Sequence, residues 1–428
     1  MNALNRRLEI ERLGQRGEGL AHDGRGLVFV PYALAGEVVI AEVDGDRGRL
    51  AEVVVASPDR IAPFCEHFTK CGGCAVQTLA APAYGAWKRD LVVAALAHVG
   101  LDCAVAQLVD AHGEGRRRAT FHARFEQGLA GRARTIIGFM QARSHNILQL
   151  DSCPILAPGL ARALPAARLI AEVLADHGKP LDIVVSASSA GLDIDLHGAG
   201  KLDDDLRQRL IAAAGAADLA RFSNHGLVLI ERRAPVIKMG IAEVVPPPGG
   251  FLQATQAGEE ALAQHVLRAI GKAKRVADLF AGVGTFALRL AQTSEVLAVE
   301  GEAAAIAALT RAAHRPGLRQ VRGEVRDLFR RPLLAAELNG FDAVVFDPPR
   351  SGAKDQAEAL AASQVPSVVA VSCSVQTFAR DARILVDGGY VLESVTPFDQ
   401  FRHSAHVEIV GVFRRSAPKG KKRGRLLG

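Results

Sequence analysis

The first sixty residues carry short apolar stretches in which hydrophobic and polar positions partly alternate. They read LEIERL, GRGLVFVPYAL, GEVVIAEV and GRLAEVVVA across residues 8–57, with Gly24, Gly26, Gly36, Gly45 and Gly48 between them. A period of two predicts half-buried strands, and the glycines mark turns. About five such strands can close into a small barrel, which leaves no exposed edge. Pro58 and Pro63 end the pattern. Residues 61–240 are mixed. A helix is expected at 84–99, packed against the C-terminal part of the chain, and a strand at TIIGFM. The helical run LARALPAARLIAEVLADH, the strand LDIVVSAS, a helix near 202–214 and the strand GLVLIE follow.

PPPGG at 246–250 predicts a domain boundary. Beyond it the pattern alternates regularly. A helix at 256–271 leads to strand RVADLF, a glycine loop and helix TFALRLA. Strand EVLAVE leads to a helix at 302–313. Strands FDAVVFD and SVVAVSC precede helix QTFARDARILV, and YVLESVTPF and HVEIVGVF close the series. Strands joined through helices require parallel pairing with right-handed crossovers. The last two strands have no helix between them and are expected to be antiparallel. The reading is therefore an α/β domain over 246–414, a β barrel over 1–60, a central α+β domain over 61–245 and a basic tail over 415–428.

Composition changes this picture little. Hydrophobic residues make up 49% of the 428 positions and charged residues 23%, which excludes wholesale disorder. No apolar run approaches the ~18 residues a membrane span requires, and charges occupy the N-terminal positions where a secretion signal is apolar. A cytoplasmic protein without a membrane partner is expected. The net charge of +6 is unevenly spread. Residues 1–60 hold 8 Lys/Arg against 10 Asp/Glu, whereas Arg116 to Arg143 contains seven Arg and one Glu. From Arg414 onward there are seven basic residues and no acid. Clustered positive charge suits a polyphosphate partner.

Six cysteines are too few for a disulfide scaffold. Cys65, Cys71 and Cys74 lie within ten positions, which points to a metal site, and all-thiolate ligation suits iron–sulfur or zinc. Cys103 fits no pattern.

The segment Asp278-Leu279-Phe280-Ala281-Gly282-Val283-Gly284 follows a strand and opens a helix. Glycine there lets a ligand approach the backbone. Glu300 ends the next strand, 18 residues after Gly282, where a carboxylate can accept from ribose hydroxyls. Gly282-x-Gly284-x-x-Ala287 also satisfies the dinucleotide fingerprint, so an adenosine cofactor is expected without a choice between NAD and S-adenosylmethionine. Asp347-Pro348-Pro349-Arg350 caps an apolar strand at the carboxyl edge of the sheet, where such folds bind ligands. Cys373 ends the next strand on the same edge, and Glu408 opens an apolar strand where a carboxylate is costly unless partnered or working. A thiol and a carboxylate at one site are the minimum for methylating carbon 5 of uracil. The thiolate adds to carbon 6, carbon 5 becomes nucleophilic, and a base removes its proton.

With these motifs the chain resembles the S-adenosylmethionine-dependent RNA uracil-carbon-5 methyltransferases, specifically their iron–sulfur ribosomal-RNA branch. Phe251-Leu252-Gln253, DLFAGVGTF, VLAVE, DPPRSG, SCSVQTFARD and HSAHVEIVGVF occur in family order. The resemblance implies a Rossmann-like class I methyltransferase domain, mostly parallel with an antiparallel end, behind an OB-like TRAM barrel and a central iron–sulfur domain. It implies that Gln253, Phe280, Glu300 and Asp347 bind S-adenosylmethionine, that Cys373 is the nucleophile and Glu408 the base. It assigns Glu324 to the acidic position before Asp347, and Cys65, Cys71, Cys74 and Cys153 to a 4Fe-4S cluster. The substrate it implies is RNA, with 23S rRNA favoured over tRNA, and a monomer is expected. Ser374-Val375 stands where the family usually has Asn-Pro after the catalytic cysteine. Competing readings are a radical S-adenosylmethionine enzyme, an NAD-dependent oxidoreductase and a non-catalytic RNA-binding scaffold. The first expects a CxxxCxxC motif, and the second leaves DPPR and Cys373 without a role.

Overall fold

The computed structural model describes residues 4–127 and 133–415. Beyond Arg415, the basic tail lies outside the described residues, as does Arg132.

The N-terminal strands form one sheet in the order Leu4–Glu9, Val38–Asp44, Arg47–Val55, Leu27–Pro31, Glu18–His22, Arg12–Leu13. Both edge strands belong to the single stretch 4–13. The Ile10 amide donates to Glu37 O (2.8 Å) on one side, and the Glu11 amide to Leu20 O (2.8 Å) on the other. One bent strand thus joins the two edges and curls the sheet around a core of Leu8, Ile10, Ala21, Val30, Val39 and Ala41.

A second sheet has seven strands, ordered Ile147–Gln149, Ala133–Met140, Arg118–Gln127, Leu181–Ser188, Gly191–His197, Arg221–Asn224 and Leu227–Glu231. Helices Ala163–Val173 and Asp204–Ala216 share its core, Ile170 and Leu210 meeting Phe121, Ile183 and Ile194. In the strand Arg118–Gln127, Ala119, Phe121 and Ala123 face the core, while the alternate positions hold Arg118, Thr120, His122 and Arg124, two of them lining a cavity.

The third sheet has eight strands, ordered Val321–Val325, Glu295–Glu300, Arg275–Leu279, Ala343–Phe346, Ser367–Ser372, Glu408–Arg415, Tyr390–Asp399 and Val109–Asp110. The first five are parallel, and Glu408–Arg415 runs antiparallel between Ser367–Ser372 and Tyr390–Asp399. Continuous apolar runs reflect burial on both faces. Val344, Phe346, Val368 and Ala370 pack with Leu360 and Phe378 of helices Lys354–Ala362 and Val375–Asp387. Val345, Val369 and Val371 pack on the other side with Leu262 and Val266 of helix Gln256–Ile270.

Two strands of this sheet were absent from the sequence reading. Val321–Val325 is an edge strand carrying Arg322 and Glu324, and charge on an edge discourages further pairing while erasing the apolar pattern. Val109–Asp110 is too short to show a period; it adds in parallel to the far edge. Helix Ala81–His98 lies on this same unit, with Val92 and Leu96 in one cluster with Phe378 and Leu385.

Candidate active site

The glycine loop departs from strand Arg275–Leu279. Phe280 takes φ +60°, Gly282 φ +53° and Gly284 φ +102°. A Cβ on Gly284 would lie 2.9 Å from Leu288 and 3.0 Å from Leu309, so glycine there permits close packing of the loop on its helix. A Cβ on Gly282 would meet open space. Gly282 is among the residues that line the cavity. The Gly282 amide donates to Glu300 Oε2 (3.0 Å), and the Glu302 amide donates to Glu300 Oε1 (3.0 Å), which fixes the carboxylate at the loop. The expected helix over 285–291 shortens to Ala287–Leu290, because the turn itself takes up Thr285 and Phe286.

Gln253, Phe280, Glu300, Asp347, Cys373 and Glu408 all line one cavity of about 510 Å³. They come from six separate stretches of chain. Gln253 Nε2 donates to Asp347 Oδ2 (3.1 Å). Burial raises Asp347 above the ordinary carboxylate range, with the Gln253 bond opposing. Burial, then the neighbouring Asp347 charge, raises Glu408, while Gln400 and Arg350 pull it down. Cys373 is half-buried just before helix Val375–Asp387, and its thiol is pushed up to about 11 by burial and then by Glu408 and Asp347. It therefore rests protonated at neutral pH. Ser374, standing where asparagine was expected, caps that helix through a side chain that accepts from the Thr377 amide. Glu324 does not line the cavity; its carboxylate engages Arg326 (3.4 Å).

Sequence reasoning gave no role to several residues that the fold brings to this site. Gln400, fully buried, hydrogen-bonds both Gln253 and Glu408. Arg350 and His406 line the cavity 3.2 Å apart, and burial followed by the Arg350 charge lowers His406 to about 4. An adjacent Asp-Gln pair before an apolar strand is a signal too common to single out.

Cys65, Cys71, Cys74 and Cys153 line a second cavity of about 390 Å³. It shares Phe251 and Phe401 with the first. Burial raises Cys71 and Cys153 and pushes Cys74 up to about 11, with the neighbouring cysteines adding to each shift. Among the described residues, no three His, Cys, Asp or Glu side chains are gathered closely enough to hold a metal ion. Cys103 lies elsewhere, against the core under helix Ala81–His98.

The arginine-rich stretch is only partly turned toward solvent. Arg117 is buried and paired with Glu259, which also receives Arg289 (2.8 Å). Arg116 and Arg118 line the cysteine cavity, and Arg116 lies over the Phe401 ring, 5.3 Å from its centroid. Three of the seven arginines therefore work inside the molecule.

Residues 248–416 match the family model described as tRNA (uracil-5-)-methyltransferase. An uncharacterized RNA methyltransferase of Mesorhizobium japonicum is 46% identical over 96% of this chain and 98% of its own. The 23S rRNA (uracil(1939)-C(5))-methyltransferase RlmD of Halomonas elongata is 35% identical over 91% of this chain and 87% of its own. In fold, the chain resembles the Pyrococcus abyssi tRNA (uracil-54, C5)-methyltransferase solved with S-adenosyl-L-homocysteine. The TM-score is 0.72 at 22% identity, over 95% of this chain and 99% of that one. With sequence likeness of this extent along nearly its whole length, the chain belongs to the RNA uracil-5-methyltransferase family of enzymes.

Proposed function

We propose that the protein methylates carbon 5 of a uridine in 23S rRNA, using S-adenosylmethionine and a transient bond from Cys373 to the pyrimidine. One observation carries this reading: a thiol, Cys373, and a buried carboxylate, Glu408, share a cavity with the glycine loop and with Glu300 and Asp347. S-adenosylmethionine supplies an electrophilic methyl group on a sulfonium. Glu300 is set to accept from the ribose, and Gln253, Phe280 and Asp347 line the space beside it. The Cys373 thiol gives its proton to solvent and its sulfur adds to carbon 6 of the uracil, which moves the 5,6 π electrons to carbon 5. Carbon 5 then takes the methyl group, the electrons of the broken carbon–sulfur bond staying on the donor sulfur. Glu408 then removes the carbon-5 proton; the electrons of that bond form the 5,6 double bond as the carbon–sulfur bond breaks. A base in this role contributes about 10²–10⁴ in rate. The 23S rRNA assignment is supported by the likeness to the Halomonas enzyme.

The barrel, proposed as a TRAM-type RNA-binding domain over 1–60, borders the catalytic machinery. Trp87 Nε1 donates to Gly14 O (3.2 Å), and Gln376, three residues beyond Cys373, donates to Gln15 (3.1 Å). RNA held on the barrel would lie beside the cavity. Residues 61–245 form the proposed central domain and 246–414 the methyltransferase domain, acting as a cytoplasmic monomer. The four cysteines fit a 4Fe-4S cluster. They line one cavity, and all-thiolate ligation is the donor set such a cluster would take. Iron and sulfide analysis of anaerobically purified protein tests this; protein lacking both discards the cluster.

The central test is Cys373→Ala. This variant should bind S-adenosylmethionine and transfer nothing, while wild-type enzyme crosslinks to RNA carrying 5-fluorouridine. A variant that still methylates RNA removes the covalent mechanism. Mass-spectrometric mapping of 5-methyluridine in 23S rRNA from a deletion strain tests the substrate.

A further inference from the structure

We propose that Gln400 is a positioning residue that ties the proton-abstracting carboxylate of Glu408 to the cofactor-side pair Gln253 and Asp347. Its single amide nitrogen serves both. Nε2 lies 2.7 Å from Gln253 Oε1 and 3.0 Å from Glu408 Oε1, and Gln253 Nε2 in turn donates to Asp347 Oδ2 (3.1 Å). The result is a chain of four side chains with a carboxylate at each end and two amides between. With both carboxylates ionised, only this orientation of the amides places a donor at every contact.

Three consequences follow for the chemistry. Gln400 occupies Glu408 Oε1, which leaves Oε2 as the oxygen available to the carbon-5 proton. It also stabilises the ionised form of Glu408, the form a base must have. And by filling Gln253 Oε1 it directs the Gln253 amide nitrogen to Asp347. The charged and titratable groups that share the cavity beside Glu408 include Asp347 and Arg350 from the loop after strand Ala343–Phe346, Cys373 from just past strand Ser367–Ser372, and His406, which contacts Arg350. Asp347 opposes ionisation of Glu408 and Arg350 favours it, so the buried amide is the neutral partner between them.

The packing is built for this side chain. Gln400 is fully buried, and a Cβ on Gly258 of helix Gln256–Ile270 would fall 2.8 Å from Gln400 Cβ and Oε1. A glycine at that position of the helix leaves room for the amide.

This assignment rests on the uridine-methylation reading, and the experiment separates the two. Wild-type, Gln400→Met and Gln400→Glu enzymes are assayed for methyl transfer from pH 5.5 to 9, for covalent complex with ordinary uridine RNA, and for crosslinking to 5-fluorouridine RNA. In Gln400→Met the acid limb should move up by about one pH unit, a tenfold loss on that limb. The complex with ordinary RNA should accumulate, because addition and methylation precede the step that slows. The fluorinated crosslink, which needs no proton removal, should persist. Gln400→Glu keeps the shape and should shift the limb further, since a third carboxyl opposes ionisation of Glu408. A wild-type pH profile in both variants, or a pH-independent loss without accumulated complex, overturns the role of Gln400. A wild-type enzyme that neither methylates nor crosslinks overturns the uridine reading and the assignment with it.

Discussion

Lys88 and Asp399, 311 positions apart in the chain, form a buried ion pair between helix Ala81–His98 and the end of strand Tyr390–Asp399. Lys88 Nζ also donates to Phe401 O (3.1 Å) and His406 O (2.7 Å). Tyr84, one turn earlier, donates to Asp399 Oδ2 (2.8 Å) and accepts from the His403 amide (2.9 Å). The helix thereby holds the segment that leads to His406 and Glu408, so packing far from the cavity fixes the Glu408 carboxylate within it.

Replacing Lys88 by Met should leave Asp399 buried with Tyr84 as its remaining side-chain partner. Breaking a buried pair from one side costs about 3–5 kcal/mol, so the melting temperature should fall by several degrees. Lys88→Met combined with Asp399→Asn should recover most of that loss. Unchanged melting of the single variant would show that the pair contributes nothing.

The Cys373 thiol, pushed up to about 11, should alkylate slowly at neutral pH. Because the thiolate is the reactive form, the iodoacetamide rate should rise about tenfold per unit from pH 7 to 9. Glu408 raises this thiol, so Glu408→Gln removes a negative neighbour, favours the thiolate and should speed alkylation most toward pH 9, where Glu408 carries its charge. Mass spectrometry of the modified peptide reads both effects, and a rate flat with pH contradicts them.

Gly284 and Gly282 should respond differently to alanine. At Gly284 the added Cβ meets Leu288 and Leu309 at φ +102°, a combination expected to cost about 1–3 kcal/mol and to weaken S-adenosylmethionine binding. At Gly282 the space is open and φ is +53°, so the cost should stay near 1 kcal/mol. Calorimetric melts and cofactor titrations of the two variants provide the comparison; equal effects would remove the steric argument.

Loss of one cysteine from the second cavity should be felt in both cavities, because Phe251 and Phe401 line each. Cys74 is followed by Ala75 and Val76, whose amides both donate to His403 O (2.7 and 3.0 Å). Cys74→Ser should therefore raise hydrogen exchange in residues 399–408, with exchange in strand Leu4–Glu9 of the barrel unchanged. Exchange unaltered in 399–408 would show that the two cavities are independent.

The parallel strands were legible because burial on both faces makes them continuous apolar runs, and the glycine loop because tight turns restrict residue type. Val321–Val325 was not legible, since an edge strand needs charge more than pattern. The arginines at 116–118 misled for a related reason: a sequence displays charge but not the direction in which it points.

Local chemistry was written in the chain itself: which residues could turn, which could attack, which could accept a proton, and which three thiols clustered within ten positions. Their assembly was decided by long-range packing. The contacts of Gln400 formed only when the antiparallel strand Glu408–Arg415 inserted beside Ser367–Ser372 and set its amide between Glu408 and Gln253. Hydrogen bonds depend on distances of about 3 Å, and contacts between residues more than a hundred positions apart leave no periodic trace along one chain.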